Sequence, residues 1–160
     1  MSLKIRPARA EDTPLIYQFI YELAEFEQLS HEVVATEKDV RQSLFGQTPR
    51  AFCMIAEWEG KPAGFALFFY NYSTFLAKNG LYLEDLYVRE EMRGKGIGKA
   101  LLAHLAAKAK AEGCGRLEWW VLDWNKASID FYESLGARAM NEWRVYRLSG
   151  GALERLAEKA

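Results

Sequence analysis

Val88-Arg89-Glu90-Glu91-Met92-Arg93-Gly94-Lys95-Gly96-Ile97-Gly98-Lys99 leaves an apolar run that reads as a strand. It sets glycine at every second position and then enters a long helix of apolar period. Glycine lacks a Cβ and tolerates positive φ, so several main-chain N–H groups can converge on one point. The first N–H groups of a helix have no partner inside it, and the helix dipole favours negative charge at that end. The stretch therefore reads as a cradle for a diphosphate. A plain strand-to-helix connection needs one glycine. Three, with Arg93, Lys95 and Lys99 beside them, point to a ligand.

Working outward, Gly80 to Val88 reads as the strand that feeds the turn. Ile97, Leu101, Leu102, Leu105, Ala106 and Ala109 make one face of the helix that leaves it and stops at Gly113. Upstream, Ala51 to Trp58 and Ala63 to Tyr70 are β-rich runs joined by Glu59-Gly60-Lys61-Pro62, a hairpin signal. Leu3 to Arg6 alternates as a first strand. Asp12-Thr13-Pro14 opens a helix carrying Leu15, Ile16, Phe19, Ile20 and Leu23, and Thr36-Glu37-Lys38-Asp39 caps a second that ends near Phe45-Gly46. Downstream, Leu117 to Leu122 is predicted as a strand and Asn125 as the cap of a helix that runs to Leu135 and ends at Gly136. Glu142 to Leu148 is predicted as a last strand and Ala152 to Ala160 as a terminal helix. This order implies a mixed α/β domain over residues 1–160, one central mixed and mostly antiparallel sheet flanked by helices.

Composition narrows the function. The 160 residues are half hydrophobic and 27% charged, with a formal net charge of −1, which gives no drive toward DNA or RNA. No apolar run approaches a membrane span, and the N-terminus lacks a signal peptide's apolar stretch. Cys53 and Cys114 stand alone and read as free thiols of a cytoplasmic protein, and His31 and His104 have no metal-ligand spacing. No metal is expected. Three ligands compete for the cradle. A P-loop needs G-x-x-x-x-G-K-[ST], but Arg93 holds the first glycine position and Ala100 follows Lys99. A dinucleotide fold needs G-x-G-x-x-G, and counted from Gly94 the third glycine position is Lys99.

Coenzyme A is the third. Arg93-Gly94-Lys95-Gly96-Ile97-Gly98 resembles motif A of the GNAT superfamily of N-acetyltransferases, Q/R-x-x-G-x-G/A, with Arg93, Gly96 and Gly98 at the pattern positions. Leu81 to Val88, Leu122-Asp123-Trp124-Asn125, Phe131 to Ala137, Ile5-Arg6-Pro7-Ala8 and Glu22 to Glu27 resemble the spermidine/spermine (diamine) N-acetyltransferase branch and its thialysine-acetylating relatives. The resemblance covers nearly the whole chain. It implies the GNAT acyltransferase fold, acetyl-CoA as donor, a primary amine as acceptor and a homodimer. Phe26 stands where polyamine acetylases of the branch carry Tyr, which leaves the acceptor open between polyamines and lysine-like amino acids.

An amine must lose a proton before it can attack a thioester, and the departing thiolate must gain one. The neighbouring Glu84 and Asp85 interrupt an apolar strand, and strand alternation sends them to opposite faces, Glu84 with Tyr82, Leu86 and Val88. The resemblance makes Glu84 the amine-binding residue and general base, and Tyr132 the general acid. Leu86, Tyr87 and Val88 would offer main-chain groups to the pantetheine arm, and Arg93 to Lys99, including Gly94, Lys95, Gly96, Ile97 and Gly98, would hold the diphosphate. Asn125, Ser128 and Tyr132 share one helical stripe, expected to point at coenzyme A, while Ala127, Phe131 and Leu135 form a stripe that can face the core. Phe26, Glu27, Trp119 and Glu142 are candidate acceptor-binding residues, with Glu25 a further acidic candidate. Two other readings stand beside amine acetylation: a protein or peptide N-acetyltransferase, and a non-catalytic acyl-CoA sensor that needs the turn but neither Glu84 nor Tyr132.

Overall fold

A computed structural model of the chain describes residues 2–160. It divides into two compact units, one ending at Leu122 and one spanning Asp123–Ala160. The first unit is built on a five-stranded sheet in the order β1-β2-β3-β4-β5. Strands β1 (Leu3–Pro7), β2 (Phe52–Trp58), β3 (Lys61–Ser73) and β4 (Lys78–Val88) pair antiparallel, and β5 (Leu117–Trp119) pairs parallel to β4.

Helices cover both faces. On one side α1 (Thr13–Phe26) and α2 (Glu37–Phe45) set Ile16, Phe19, Val40 and Leu44 against Cys53, Ile55, Phe65 and Leu67. Asp12 precedes α1 and accepts both ends of the Arg6 guanidinium, at 2.7 and 2.9 Å, which ties the helix start to β1. Thr36 and Asp39 cap α2 reciprocally, through Asp39 N–H to Thr36 Oγ1 at 3.1 Å and Thr36 N–H to Asp39 Oδ2 at 2.9 Å. On the other side α3 (Ile97–Ala111) buries Ile97, Leu101, Leu102, Leu105 and Ala109. Ala106, expected on that face, is exposed.

The β2–β3 turn is tighter than the four residues expected. Glu59 and Gly60 both have positive φ, 50° and 79°, and make a two-residue turn, so Lys61 and Pro62 already belong to β3. Strand β5 ends at Trp119 rather than Leu122. A strand needs a ladder neighbour, and β4 offers one only from Leu81 to Leu83. In the second unit α4 (Lys126–Ser134) is capped by Asn125 Oδ1, which accepts Ser128 N–H at 3.2 Å, and Gly136 follows at φ 93°. The last helix, α5, covers Gly150–Ala157. The strand expected over 142–148 does not form. Its residues have β-compatible side chains, but the second unit contains no other strand to supply a ladder, and the segment stays irregular. On α4, Ala127 and Leu135 are exposed and Phe131 is half-buried.

Candidate active site

The site grows from what happens to β4 after Leu83. Leu67 of β3 pairs with Asp85, and the next residue, Phe68, pairs with Leu83, so Glu84 is an extra residue in a β-bulge. Beyond it β4 stays paired with β3 alone, and its other edge is open from Glu84 to Val88. Arg89 N–H donates to Ala63 O at 2.8 Å. Alternation along the ladder then turns the main-chain groups of Tyr87 toward β3 and those of Leu86 and Val88 toward the open edge. Val88 O already accepts Arg93 Nε at 3.0 Å. Tyr87 contributes differently. Its hydroxyl donates to Glu22 Oε1 at 3.0 Å, beside two Arg89 contacts to the same carboxylate at 3.2 and 3.1 Å. This cluster ties α1 to the end of β4, and burial with the Glu22 hydrogen bond pushes the phenol up to about 12.

The turn that follows is open. Gly94 and Gly96 have φ of 79° and 80°, where a side chain would strain the backbone, and nothing lies within contact of a Cβ built on either. The first main-chain bond of the helix is Ala100 N–H to Gly96 O at 3.0 Å. Among the described residues, none of the N–H groups from Gly94 to Lys99 is bonded within the protein. They stand free at the positive end of a 15-residue helix. Ile97 can serve only through its main chain, because its side chain is buried. The Lys95 ammonium lies 5.6 Å from the Trp58 ring. The Arg93 guanidinium folds back from the turn, 4.9 Å over Phe26 and 5.9 Å over Tyr87. This donor set fits a diphosphate, which needs several N–H groups and no metal ligand. Among the described residues no group of His, Cys, Asp and Glu could hold a metal ion.

The bulge also corrects the expected faces. Tyr82 opposes Phe69 and Asp85 opposes Leu67, so Tyr82, Asp85 and Tyr87 share the α1 side of the sheet, while Leu86 and Val88 share the α3 side with Leu83. Glu84 therefore does not share a face with Tyr82, Leu86 and Val88 in an unbroken alternation. Its charge acts on Tyr82, Asp85 and Glu27 together. Burial, then Glu84, then Glu27 push the Asp85 carboxyl up to about 7. Burial, then Glu84, raise Glu27 above the usual carboxylate range. Three carboxyl groups thus converge where α1 ends and β4 bulges, a setting that favours a cation. Phe26, 43% exposed, lies at the end of the same helix. Glu25 is exposed.

The remaining expected residues lie on β5 and in the second unit. Trp119 pairs with Leu83 and follows it to the α3 side, whereas Trp120 meets Tyr82 edge-on at 6.1 Å. Asn125, Ser128, Tyr132 and Glu142 belong to the second unit. There Asn125 Oδ1 serves as the helix cap, Ser128 and Tyr132 are half-buried on α4, and Glu142 is exposed on the irregular segment. Sequence reasoning missed the bulge, the burial of Asp85, the Glu22–Arg89–Tyr87 tie and the placement of Trp120. The one available signal for the bulge was two adjacent carboxylates inside an apolar strand.

Comparison with known proteins gives the family. Residues 17–137 match the acetyltransferase (GNAT) family. The chain is 40% identical over 166 residues to the thialysine N-epsilon-acetyltransferase of Bos taurus, covering 97% of each. It is 36% identical to the L-ornithine N5-acetyltransferase NATA1 of Arabidopsis thaliana, covering 96% of this chain and 87% of that one. Among solved structures it is similar to an integron cassette protein from the mobile metagenome of V. cholerae, with a TM-score of 0.82, 29% identity and 99% of both chains covered.

Proposed function

This chain belongs to the acetyltransferase (GNAT) family and is an amine N-acetyltransferase, and from that premise we propose that it moves the acetyl group of acetyl-CoA to a primary amine of a lysine-like amino acid or a small di- or polyamine. The observation that carries this reading is the run of free N–H groups from Gly94 to Lys99, beside an open strand edge that ends at an acidic bulge. Acetyl-CoA supplies the activated acyl carbon that the amine attacks. The N–H groups of residues 94–99 bind the diphosphate, and Arg93 joins them by swinging its guanidinium out from over Phe26. The Leu86 N–H and C=O and the Val88 N–H align the pantetheine arm, with Tyr87 holding that strand end in place. A main-chain N–H of this edge donates to the acyl oxygen as charge grows on it.

Glu84 and Glu27 attract the ammonium form of the acceptor, and Glu84 removes a proton so that the nitrogen lone pair becomes available. Tyr132 gives its hydroxyl proton to the departing sulfur, with Asn125 and Ser128 of the same helix positioned toward coenzyme A. Phe26, Trp119 and Glu142 complete the acceptor side. The family match crosses the boundary at Leu122, which supports reading the two units as one catalytic domain. Relatives named for thialysine and ornithine both support a terminal amine on an amino acid. Exposed Trp143 and Tyr146, at 71% and 88%, support a homodimer, which light scattering giving the mass of one chain would remove. The two free cysteines support a reducing, cytoplasmic setting.

A thiol-release assay with acetyl-CoA tests the reading across ornithine, lysine, thialysine, diamines, spermidine, spermine and short peptides. Release with small cationic amines and silence with peptides is the expected result. Release with peptides alone would establish a protein acetylase instead, and coenzyme A binding with no release on any amine would establish a sensor.

A further inference from the structure

The bulge brings two carboxyl groups, not one, to the acceptor end of β4. Asp85 stands opposite Leu67 on the α1 side of the sheet, partly buried. The titratable groups that face it are Glu84 and Tyr82 from its own strand, Glu27 from the end of α1 and Cys53 from β2. None of them is a cation. The neighbouring arginines are engaged elsewhere: Arg6 with Asp12 and Glu57, Arg89 with Glu22, and Arg93 with the Val88 carbonyl. Among the described residues no hydrogen bond or ion pair holds the Asp85 side chain, so it ties no two parts of the fold together. A carboxyl placed inside a sheet without a cation lowers stability. A group kept there against that cost, next to the residue proposed to meet the amine, calls for a functional reason.

We propose that Asp85 is a positioning residue that works through Glu84: the proton Glu84 takes from the acceptor's ammonium is shared with Asp85 and held by the pair until product leaves. This rests on the amine-acetylation reading above. One N–H bond of the ammonium breaks, its electron pair stays on nitrogen, and one O–H bond forms on the carboxyl pair. The proton then passes to water, and nothing is oxidised or reduced. Two interacting carboxyls titrate as a pair, with one proton retained well above the range of an isolated acid. Asp85, raised to about 7, suits a proton acceptor working near neutrality.

The test is the pH dependence of kcat/KM for an accepted amine, from about pH 5 to about pH 9. The wild type should fall on the acid side with a midpoint near 7. In Asp85→Asn that midpoint should drop below about 5.5, because the raised carboxyl is gone, and kcat near pH 8 should fall about tenfold. Acetyl-CoA affinity should stay unchanged, and Asp85→Glu should restore the wild-type midpoint. A variant whose midpoint does not move overturns the proposal, whether or not its rate falls, because a structural role lowers the rate without moving the limb. A midpoint that tracks the acceptor's own ammonium pKa, compared across two amines, overturns it as well. Should Asp85→Asn fail to fold, the infrared spectrum of the wild-type protein decides. A protonated carboxyl band that disappears near pH 7 supports the pair, and its absence sinks it. Silence toward every amine defeats the acetylation reading itself; turnover with an unmoved limb defeats only the role of Asp85.

Discussion

A single oxygen atom separates Tyr132 from phenylalanine, and the proposed mechanism needs that oxygen only when the thiolate leaves. Tyr132→Phe should therefore lower kcat about 100-fold at the optimal pH while leaving the acetyl-CoA Kd within about twofold. Steady-state rates and equilibrium titration of acetyl-CoA check both halves, and an unchanged kcat removes the general-acid role. Glu84 shows how far single residues can be read in advance. A carboxylate inside an apolar strand is conspicuous on chemical grounds, so its candidacy was legible. Its surroundings were not. The expected alternation separated Glu84 from Asp85, whereas one extra residue in the ladder regroups Tyr82 with Asp85 and brings Glu84 into the field of both. Arg93 teaches the same point. Its place in the glycine motif was plain, but that its guanidinium lies over Phe26 follows from where α1 ends.

At the scale of elements, the strand–turn–helix unit was the most legible part of the chain, because every feature that makes it is local. The left-handed φ at Gly94 and Gly96 and the free N–H groups of the first turn follow from glycine spacing and helix geometry alone. Gly96→Ala tests that unit. A Cβ at Gly96 meets no neighbour, so the cost is backbone strain of about 1 kcal/mol. Strain relieved by rotating the peptide would turn N–H groups away from the diphosphate. Acetyl-CoA Kd should rise about 3- to 10-fold with a small fall in Tm. Calorimetric titration measures the first and thermal unfolding the second, and an unchanged Kd would show that the turn does not grip the donor. Strands were less legible than this turn. The segment 142–148 carries suitable residues, yet pairing is a relation between two segments, and the second unit holds no other strand to pair with it. The same reason shortens β5 to Leu117–Trp119.

Across the whole molecule, the acidic bulge should make stability depend on pH in an uncommon direction for a carboxylate. Asp85 is raised from 3.8 in an ordinary environment to about 7 in the fold, so the folded state binds its proton more tightly than the unfolded chain does. Its contribution is therefore full below the unfolded value and is lost as pH climbs toward 7. Asparagine does not ionise and escapes that loss. Relative to wild type, Asp85→Asn should gain about 1–3 kcal/mol of unfolding free energy on going from pH 5 to pH 8. Urea denaturation at the two values measures it, and equal shifts for both proteins would show that the carboxyl is not perturbed in the fold.

Sequence by itself determined the order of elements as far as α4, the glycine turn, the caps at Thr36 and Asn125, the core residues of α1 and all but Ala106 of those expected on α3, and the family chemistry they imply. These depend on local conformation and on the period of apolar residues, which neighbours along the chain set directly. Only the tertiary structure decided which edge of β4 stays open, that Glu84 is the extra residue of a bulge, and that Glu27, Glu84 and Asp85 act on one another. Register and charge coupling depend on distances between segments far apart in the chain, and those distances exist only once the sheet has paired and α1 has packed upon it.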